Sequence, residues 1–425
     1  MYAWYIDAPL IISAAYCRRI VARRKGSRLD VLKALPLGRR LSLALGLTQT
    51  LAWATTFYLP AVLIRPVATA TGLSPTLLVG GFSWALLISG LTSPIVGRRI
   101  DHSGGRGVLA AGTLVMAGGL AIMAALPGVV GWYLGWTVTG AGMALGLYDA
   151  TFATIGRLLP EAARPAIVGV TMMAGFASTV GWPLGTALVH LLGWRGALGA
   201  DALIQLGINL PLILLSVPRA GPAPPPPPRP RDAGARGGGW AVVVLLGLFL
   251  SVRAGLTAVV SVQALVLMRG IGLPAAGAVA VASLFGPFQV FGRVVEWSLA
   301  RWLSPFATAL LGGLLLPLGV AALLGGAPAA VFAIGYGMSN GILTITRGAL
   351  PLHLFGAHGY ATRMGRLALP QLLAQAAAPT LLTPLVLAWP ARDVLGAAGM
   401  VALAALAALA AAGVLARGGR AVKAE

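Results

Sequence analysis

The chain alternates long apolar stretches with short polar ones. Apolar runs occupy residues 41–64 (run 1), 74–96 (run 2), 108–126 (run 3), 129–155 (run 4), 167–192 (run 5) and 197–217 (run 6). After a break come 240–268 (run 7), 275–291 (run 8), 307–324 (run 9), 329–345 (run 10), 367–387 (run 11) and 394–415 (run 12). A helix of about 20 apolar residues crosses a hydrocarbon core of about 30 Å. The pattern therefore predicts an all-α membrane protein with twelve spans. Glycine and proline inside several runs fit that reading, because neighbouring helices in lipid satisfy the backbone groups they free. Some gaps, such as "LPGVV" after run 3, are short enough only for helix hairpins.

Composition agrees. Charged residues make up 10% of the 425-residue chain, 58% are hydrophobic, and the mean hydropathy is +0.88. A soluble globule carries roughly 25% charged residues, so this chain cannot coat itself against water. Its net charge of +21 does not point to nucleic acid. Binders of that kind gather Lys and Arg on one soluble face, whereas here the basic residues fill gaps between apolar runs. The single cysteine, Cys17, excludes an internal disulfide. The four histidines lack metal-ligand spacing, so no metal site and no cofactor are expected.

The basic residues set orientation. Twenty-six Lys and Arg lie before run 1, in every second gap and in the C-terminal tail, against four in the alternate gaps. That bias predicts both termini in the cytoplasm. The central gap, "RAGPAPPPPPRPRDAGARGGG", reads as a polyproline and glycine linker between two six-helix halves. The domain reading is 1–39 as a basic extension, 40–218 as the first bundle, 219–238 as the linker, 239–416 as the second bundle and 417–425 as a basic tail. The extension is open to two readings: an interfacial helix held by anionic lipid, or residues upstream of the true start.

The two halves share a pattern. "GRRIDHSGGR" at 97–106 places Gly97, Arg98, Asp101 and Arg106 where "GRVVEWSLAR" at 292–301 places Gly292, Arg293, Glu296 and Arg301. Gly169 and Pro183 recur as Gly365 and Pro379 at nearly the same offset. Parallel repeats of this kind build one class of secondary transporter.

With these features the chain resembles the major facilitator superfamily over about residues 40–416. The 2–3 loop signature of that family is matched by Gly97, Asp101, Gly104 and Arg106, with His102 where an arginine is usual. The resemblance implies two pseudo-symmetric six-helix bundles working by alternating access. It also implies that Asp101 latches the second helix to the start of the eleventh, near Leu367. The latch set is Gly97, Asp101, Gly104 and Arg106 with Gly292, Arg293, Glu296 and Arg301; the competing reading is anchoring in the headgroup region. Two other family patterns depart. Trp136 and Thr139 stand where the fourth helix carries arginine and glutamine, which puts the usual proton relay in doubt. Gly181, Pro183 and Gly185 only approximate the exporter signature of the fifth helix.

Ionisable groups inside lipid are costly and functional by default. Arg253 lies about 20 Å into run 7 and Asp149 roughly 9 Å from the basic end of run 4. Arg253 can neutralise an anionic substrate, or pair with Asp149 or with backbone carbonyls. Asp149 is the coupling candidate for protons, or the partner of Arg157. Asp201 reads as a helix-end group near water. Three polar stripes share helix faces at i, i+4 and i+7 or i+8. They are Gln49, Trp53 and Thr56 in run 1, Arg253, Thr257 and Ser261 in run 7, and Tyr336, Asn340 and Thr344 in run 10. The resemblance lines the central cavity with helices 1, 4, 7 and 10, so these residues form the expected substrate site.

The sequence thus leads to a secondary transporter of a small organic solute, most simply an organic anion or metabolite coupled to protons. It is expected to act as a monomer in a bacterial plasma membrane, with no nucleic-acid partner. An exporter of lipophilic drugs is the alternative, using Trp53, Trp136 and Tyr336, and a non-transporting membrane sensor is a further one. No enzyme is expected, because the acids are scattered and no phosphate-binding loop is present.

Overall fold

The computed structural model describes residues 36–219, 239–356 and 359–421. Most of the N-terminal extension, the central linker and the end of the tail lie outside the described residues, and with them the readings made of those segments. Every apolar run is helical, and no strand occurs among the described residues. Run 1 is Leu37–Ala54 followed by Pro60–Thr71, run 2 Pro75–Ser103 and run 3 Gly105–Ala125. Run 4 is Gly128–Gly146 followed by Tyr148–Leu158. Run 5 is Ala163–Ala174 and the first part of Ala177–Ile204. Gly193, with φ 68° and ψ 171°, breaks that helix and opens run 6. Run 6 then passes through a π-helical turn, Gln205–Asn209, to Leu210–Ser216. In the second half, run 7 is Gly239–Gly270, run 8 Ala275–Ser283 with Phe285–Leu299, and run 9 Pro305–Leu324. Runs 10, 11 and 12 are Ala329–Phe355, Tyr360–Ala388 and Ala391–Ala421.

Local chemistry starts several of these helices. Runs 2 and 9 begin with proline in the first turn, behind a serine whose hydroxyl accepts a backbone N–H: Leu77 N to Ser74 at 3.3 Å and Ala307 N to Ser304 at 3.2 Å. By length and apolarity, eight described helices can cross a bilayer, or nine if the bent pair Tyr360–Pro379 and Leu381–Ala388 is one span. The difference from twelve lies in the breaks. Runs 5 and 6 form one continuous 54-residue stretch, long enough for two crossings. Runs 1 and 4 are each split into pieces too short or too polar to pass alone.

The charged stretches prove helical too, which corrects the expected loops. Run 2 continues through Asp101 to Ser103, run 8 through Arg293 and Glu296 to Leu299, and run 10 through Arg347 to Phe355. Run 11 starts at Tyr360, seven residues before its apolar stretch. Apolarity marks where lipid is, whereas a helix ends where its backbone is broken. Gly104, at φ 84°, makes that break between runs 2 and 3.

The two halves meet over one portion of their length. Run 2 packs on run 11, the second piece of run 4 on runs 10 and 11, and the first piece of run 5 on runs 8 and 10. Pro60–Thr71, Gly128–Gly146 and Ala177–Ile204 make their main contacts inside their own half. The halves are therefore closed together at the end that carries the basic residues, here called the basic end. Tyr360, Ala361 and Met364 of run 11 and Ile345 of run 10 belong to the same buried cluster as Ile100, Phe152 and Ile167 of the first half. At Gly97 the backbones of runs 2 and 11 approach so closely that any Cβ would collide with the Ala361 carbonyl.

Candidate functional site

Arg253 sits mid-way along run 7, 6% exposed. Its Nη2 donates to Asn340 Oδ1 of run 10 at 2.7 Å, and Thr257 donates to the same oxygen at 2.9 Å. Nε and Nη1 of Arg253 are buried with no hydrogen-bond partner. Tyr336 donates to the Thr257 carbonyl at 2.9 Å and shares a hydrogen bond with Ser261 at 2.8 Å. The stripes of runs 7 and 10 are thus brought together, facing each other, while Thr344 bonds its own helix through the Asn340 carbonyl at 2.7 Å. Neither Asp149 nor a backbone carbonyl is the partner of Arg253, contrary to the pairing weighed from sequence.

The stripe of run 1 behaves differently. Gln49 donates to the Gly146 carbonyl at 2.7 Å and to Thr151 Oγ1 at 2.9 Å, and accepts from Trp53 Nε1 at 3.3 Å. Gly146 ends the first piece of run 4, so Gln49 satisfies a carbonyl that the break frees. Thr56 is fully buried and donates to the Ala52 carbonyl at 2.6 Å. Gln49 and Thr56 therefore make their hydrogen bonds within the first half. Trp53 remains partly open and begins an aromatic wall. Its ring lies 4.7 Å from Phe57 and 4.8 Å from Tyr148, and Tyr58 meets Trp182 at 6.1 Å.

Asp149 lies in the first turn of Tyr148–Leu158. Its Oδ2 pairs with Arg347 Nη2 of run 10 at 2.5 Å, joining the two halves. Arg157, the partner weighed from sequence, instead donates to the Ile100 carbonyl at 2.6 Å and to the Asp101 carbonyl. Arg347 escaped the sequence reading because it stands just past the apolar stretch of run 10. The signal that could have found it is its place, three residues beyond Thr344 on a helix expected to line the cavity.

The charged stretches supply two more cross-half ties. Asp101 accepts from Thr362 N at 2.7 Å and Ala361 N at 3.2 Å, the free N–H groups opening run 11. The contact is five residues before Leu367. In the second half Glu296, with no exposed surface, pairs with Arg164 Nη2 at 2.7 Å. Arg164 also donates to the Leu303 carbonyl at 2.7 Å. Gly292 packs on run 10 at Met338, not on run 5. Arg301 stacks on Trp302 at 3.9 Å, and Arg106 sits half-buried at the start of run 3.

Arg293, expected in the latch, turns inward. It is buried, 4% exposed, and its Nε and Nη1 have no partner. Its side chain leaves run 8 and reaches the first half, where a Cβ on Gly175 would collide with Nη1. Asp201 is corrected: at 2% exposure it is buried within its helix rather than placed near water. Trp136 is fully buried against Trp132 and Phe82, a core residue of the first half. The π-helical turn of run 6 carries a polar chain missed from sequence, in which Asn209 donates to Gln205 at 2.8 Å and Gln205 to Thr55 at 2.8 Å. Among the described residues no group of three metal-ligating side chains occurs.

An all-helical membrane chain in two halves, with buried arginines that keep unpartnered nitrogens, defines a class, and one family model matches it. The family model described as Major Facilitator Superfamily matches residues 42–379, so the chain belongs to that superfamily. Among solved structures it is similar to the human organic anion transporter MFSD10 (TETRAN), at 17% identity and TM-score 0.68, covering 88% of this chain and 100% of that one. It is also similar to the transporter FucP in its outward conformation, at 15% identity and TM-score 0.62, covering 88% and 98%. The E. coli fucose:proton symporter FucP (N162A) is a further match, at 15% identity and TM-score 0.60, again covering 88% and 98%. A search of curated protein sequences returns no match.

Proposed function

We propose that the protein is a secondary active transporter that carries a small organic anion by alternating access between two six-helix units. The units are residues 40–218 and 239–416, with twelve crossings between them. The observation that carries this reading is Arg253. A guanidinium stays charged in any cellular condition, and an unpaired one inside lipid is costly. Arg253 keeps two buried nitrogens without a partner, while Asn340 and Thr257 hold its Nη2 edge in place. Such an arrangement is built to receive a negative group. Support of a weaker kind comes from MFSD10, an organic anion transporter of the same fold.

Taking the basic end as cytoplasmic, by the bias of basic residues toward that side, places the chain with its halves closed inside and apart outside. Asp101, Glu296 and Asp149 tie the halves in that state. Their release accompanies opening to the cytoplasm. Asp149 is the coupling group: protonation would free Arg347 and break one tie, linking a proton to the conformational change. On this reading the chain works as a monomer in a bacterial plasma membrane, with both termini in the cytoplasm.

The test is transport of a panel of organic anions into proteoliposomes. Arg253→Ala is expected to abolish saturable anion uptake while the protein still inserts and elutes as a single species. A variant that transports anions at the wild-type rate overturns the reading and leaves the exporter of lipophilic compounds. That alternative predicts little loss, because its cavity would rely on Trp53 and Tyr336.

A further inference from the structure

Two buried arginines in the second half lack an acid. Asp149 and Glu296 are taken by Arg347 and Arg164, and Asp201 pairs with neither Arg253 nor Arg293. Both arginines are set against run 10. Arg253 bonds Asn340, and the backbone N of Arg293 lies 3.1 Å from where a Cβ on Gly341 would stand. The backbone of Arg293 therefore lies beside the turn of run 10 that Arg253 bonds.

Arg293 then points across to the first half, at a place where that half is irregular. Gly175 separates the two pieces of run 5. Tyr58 lies in the break of run 1 and Tyr148 follows the break of run 4, and both phenols stand within electrostatic range of Arg293. Around them stands the aromatic wall: Trp53 4.8 Å from Tyr148, and Tyr58 6.1 Å from Trp182, which is 50% exposed. Broken helices that meet a buried charge are how this kind of bundle frames a ligand. A broad aromatic surface beside it has no part in holding a small hydrophilic ion.

We infer that the site takes an aromatic organic anion, its carboxylate held by Arg293 and its ring seated on the wall of Tyr58, Trp53 and Trp182. The inference rests on the anion reading above and narrows it to one class of substrate. Ring and charge are then bound by different halves, the ring by the first and the carboxylate by the second. A ligand of this shape bridges the halves and favours the state in which both surfaces converge.

The experiment is binding to the full chain in lipid nanodiscs, followed by thermal stabilisation and by quenching of tryptophan fluorescence. The probes are benzoate, acetate, benzyl alcohol and benzylammonium. Benzoate is expected to bind at least ten-fold more tightly than acetate or benzyl alcohol. Arg293→Gln is expected to weaken benzoate at least ten-fold, and Tyr58→Ala several-fold. Arg293→Lys is the second variant, in case the glutamine form does not fold; it keeps the charge but loses the planar set of donors, and a smaller loss is expected. Acetate binding as tightly as benzoate, or wild-type binding by whichever Arg293 variant folds, overturns this inference and leaves the anion reading in place. Preference for benzylammonium overturns both.

Discussion

Residues 97–106 and 292–301 share a pattern and a location, yet they tie the halves together by different chemistry. In the first stretch the Asp101 carboxylate is held by backbone, with the Arg363 guanidinium within electrostatic range. The carboxylate accepts from the backbone N–H groups of Ala361 and Thr362, where run 11 begins and the positive end of its dipole lies. In the second, Glu296 lies fully buried against the guanidinium of Arg164. Repetition in sequence therefore preserved the position of an acid and not its partner. The dipole tie is bound to one geometry, because backbone N–H groups cannot follow a moving acid. The ion pair joins two flexible side chains, and its strength comes from burial, since a buried charge left alone is far costlier than an exposed one.

That contrast ranks the outcomes of breaking each tie. Glu296→Ala should act most strongly. It leaves the Arg164 guanidinium, 16% exposed, without its acid, and removal of one partner from a buried pair costs about 3–5 kcal/mol. The expected result is a fall of several degrees in the melting temperature of the purified protein. A second expected result is opening of the basic end, read with Ala153→Cys in a Cys17→Ser background. Ala153 is 1% exposed and lines a small cavity with Asp149, Gly97 and Ala361. Its labelling by a membrane-impermeant thiol reagent from the basic side should rise at least ten-fold. No rise would show that the ion pair does not hold the halves together.

Asp101→Asn ranks second. The amide keeps one oxygen that can still accept from Thr362 N, but it loses the charge that strengthens both bonds and favours the helix terminus. A loss of about 1–2 kcal/mol follows, or roughly a five- to thirty-fold rise in Ala153→Cys labelling, with little change in melting temperature. Should Asp101→Asn open the basic end more than Glu296→Ala, the dipole tie is the stronger and the ranking by burial fails.

The two ties also show how far the sequence could be read. The acid of each stretch, the repeat and the superfamily were legible, because apolar runs and glycine–acid spacing are written along the chain. The partners were not. Thr362 and Ala361 contribute only backbone, which carries no side-chain signal. Arg164 and Arg347 looked like ordinary residues of basic gaps, since composition does not distinguish a solvated arginine from one turned inward. The breaks in runs 1, 4 and 5 were hidden in the same way. Run 4 breaks at Leu147, an apolar residue within an unbroken apolar run, and only the three-dimensional packing of Gln49 against Gly146 exposes the change. The inward turn of Arg293 was hidden as well, because its match to Arg98 carries no sign of the direction in which the helix points it.

The smallest expected effect falls on the arginines that close the two stretches. Arg301 is exposed and stacks on Trp302 at 3.9 Å, an arrangement worth about 0.5–1 kcal/mol at an open site. Arg106 stands in the first turn of run 3, where a cation opposes the helix dipole and its removal costs the helix nothing. Among the described residues neither forms an ion pair across the halves. Arg106→Ala and Arg301→Ala should therefore leave Ala153→Cys labelling within two-fold of the parent and the melting temperature nearly unchanged. The result matters because the repeat marks Arg106 and Arg301 as strongly as it marks Asp101 and Glu296. If these variants opened the basic end as far as Asp101→Asn does, the whole charged cluster would act as the lock. If they do not, the part of the lock carried by these two stretches resides in their acids, Asp101 and Glu296, each set against a partner on the other half.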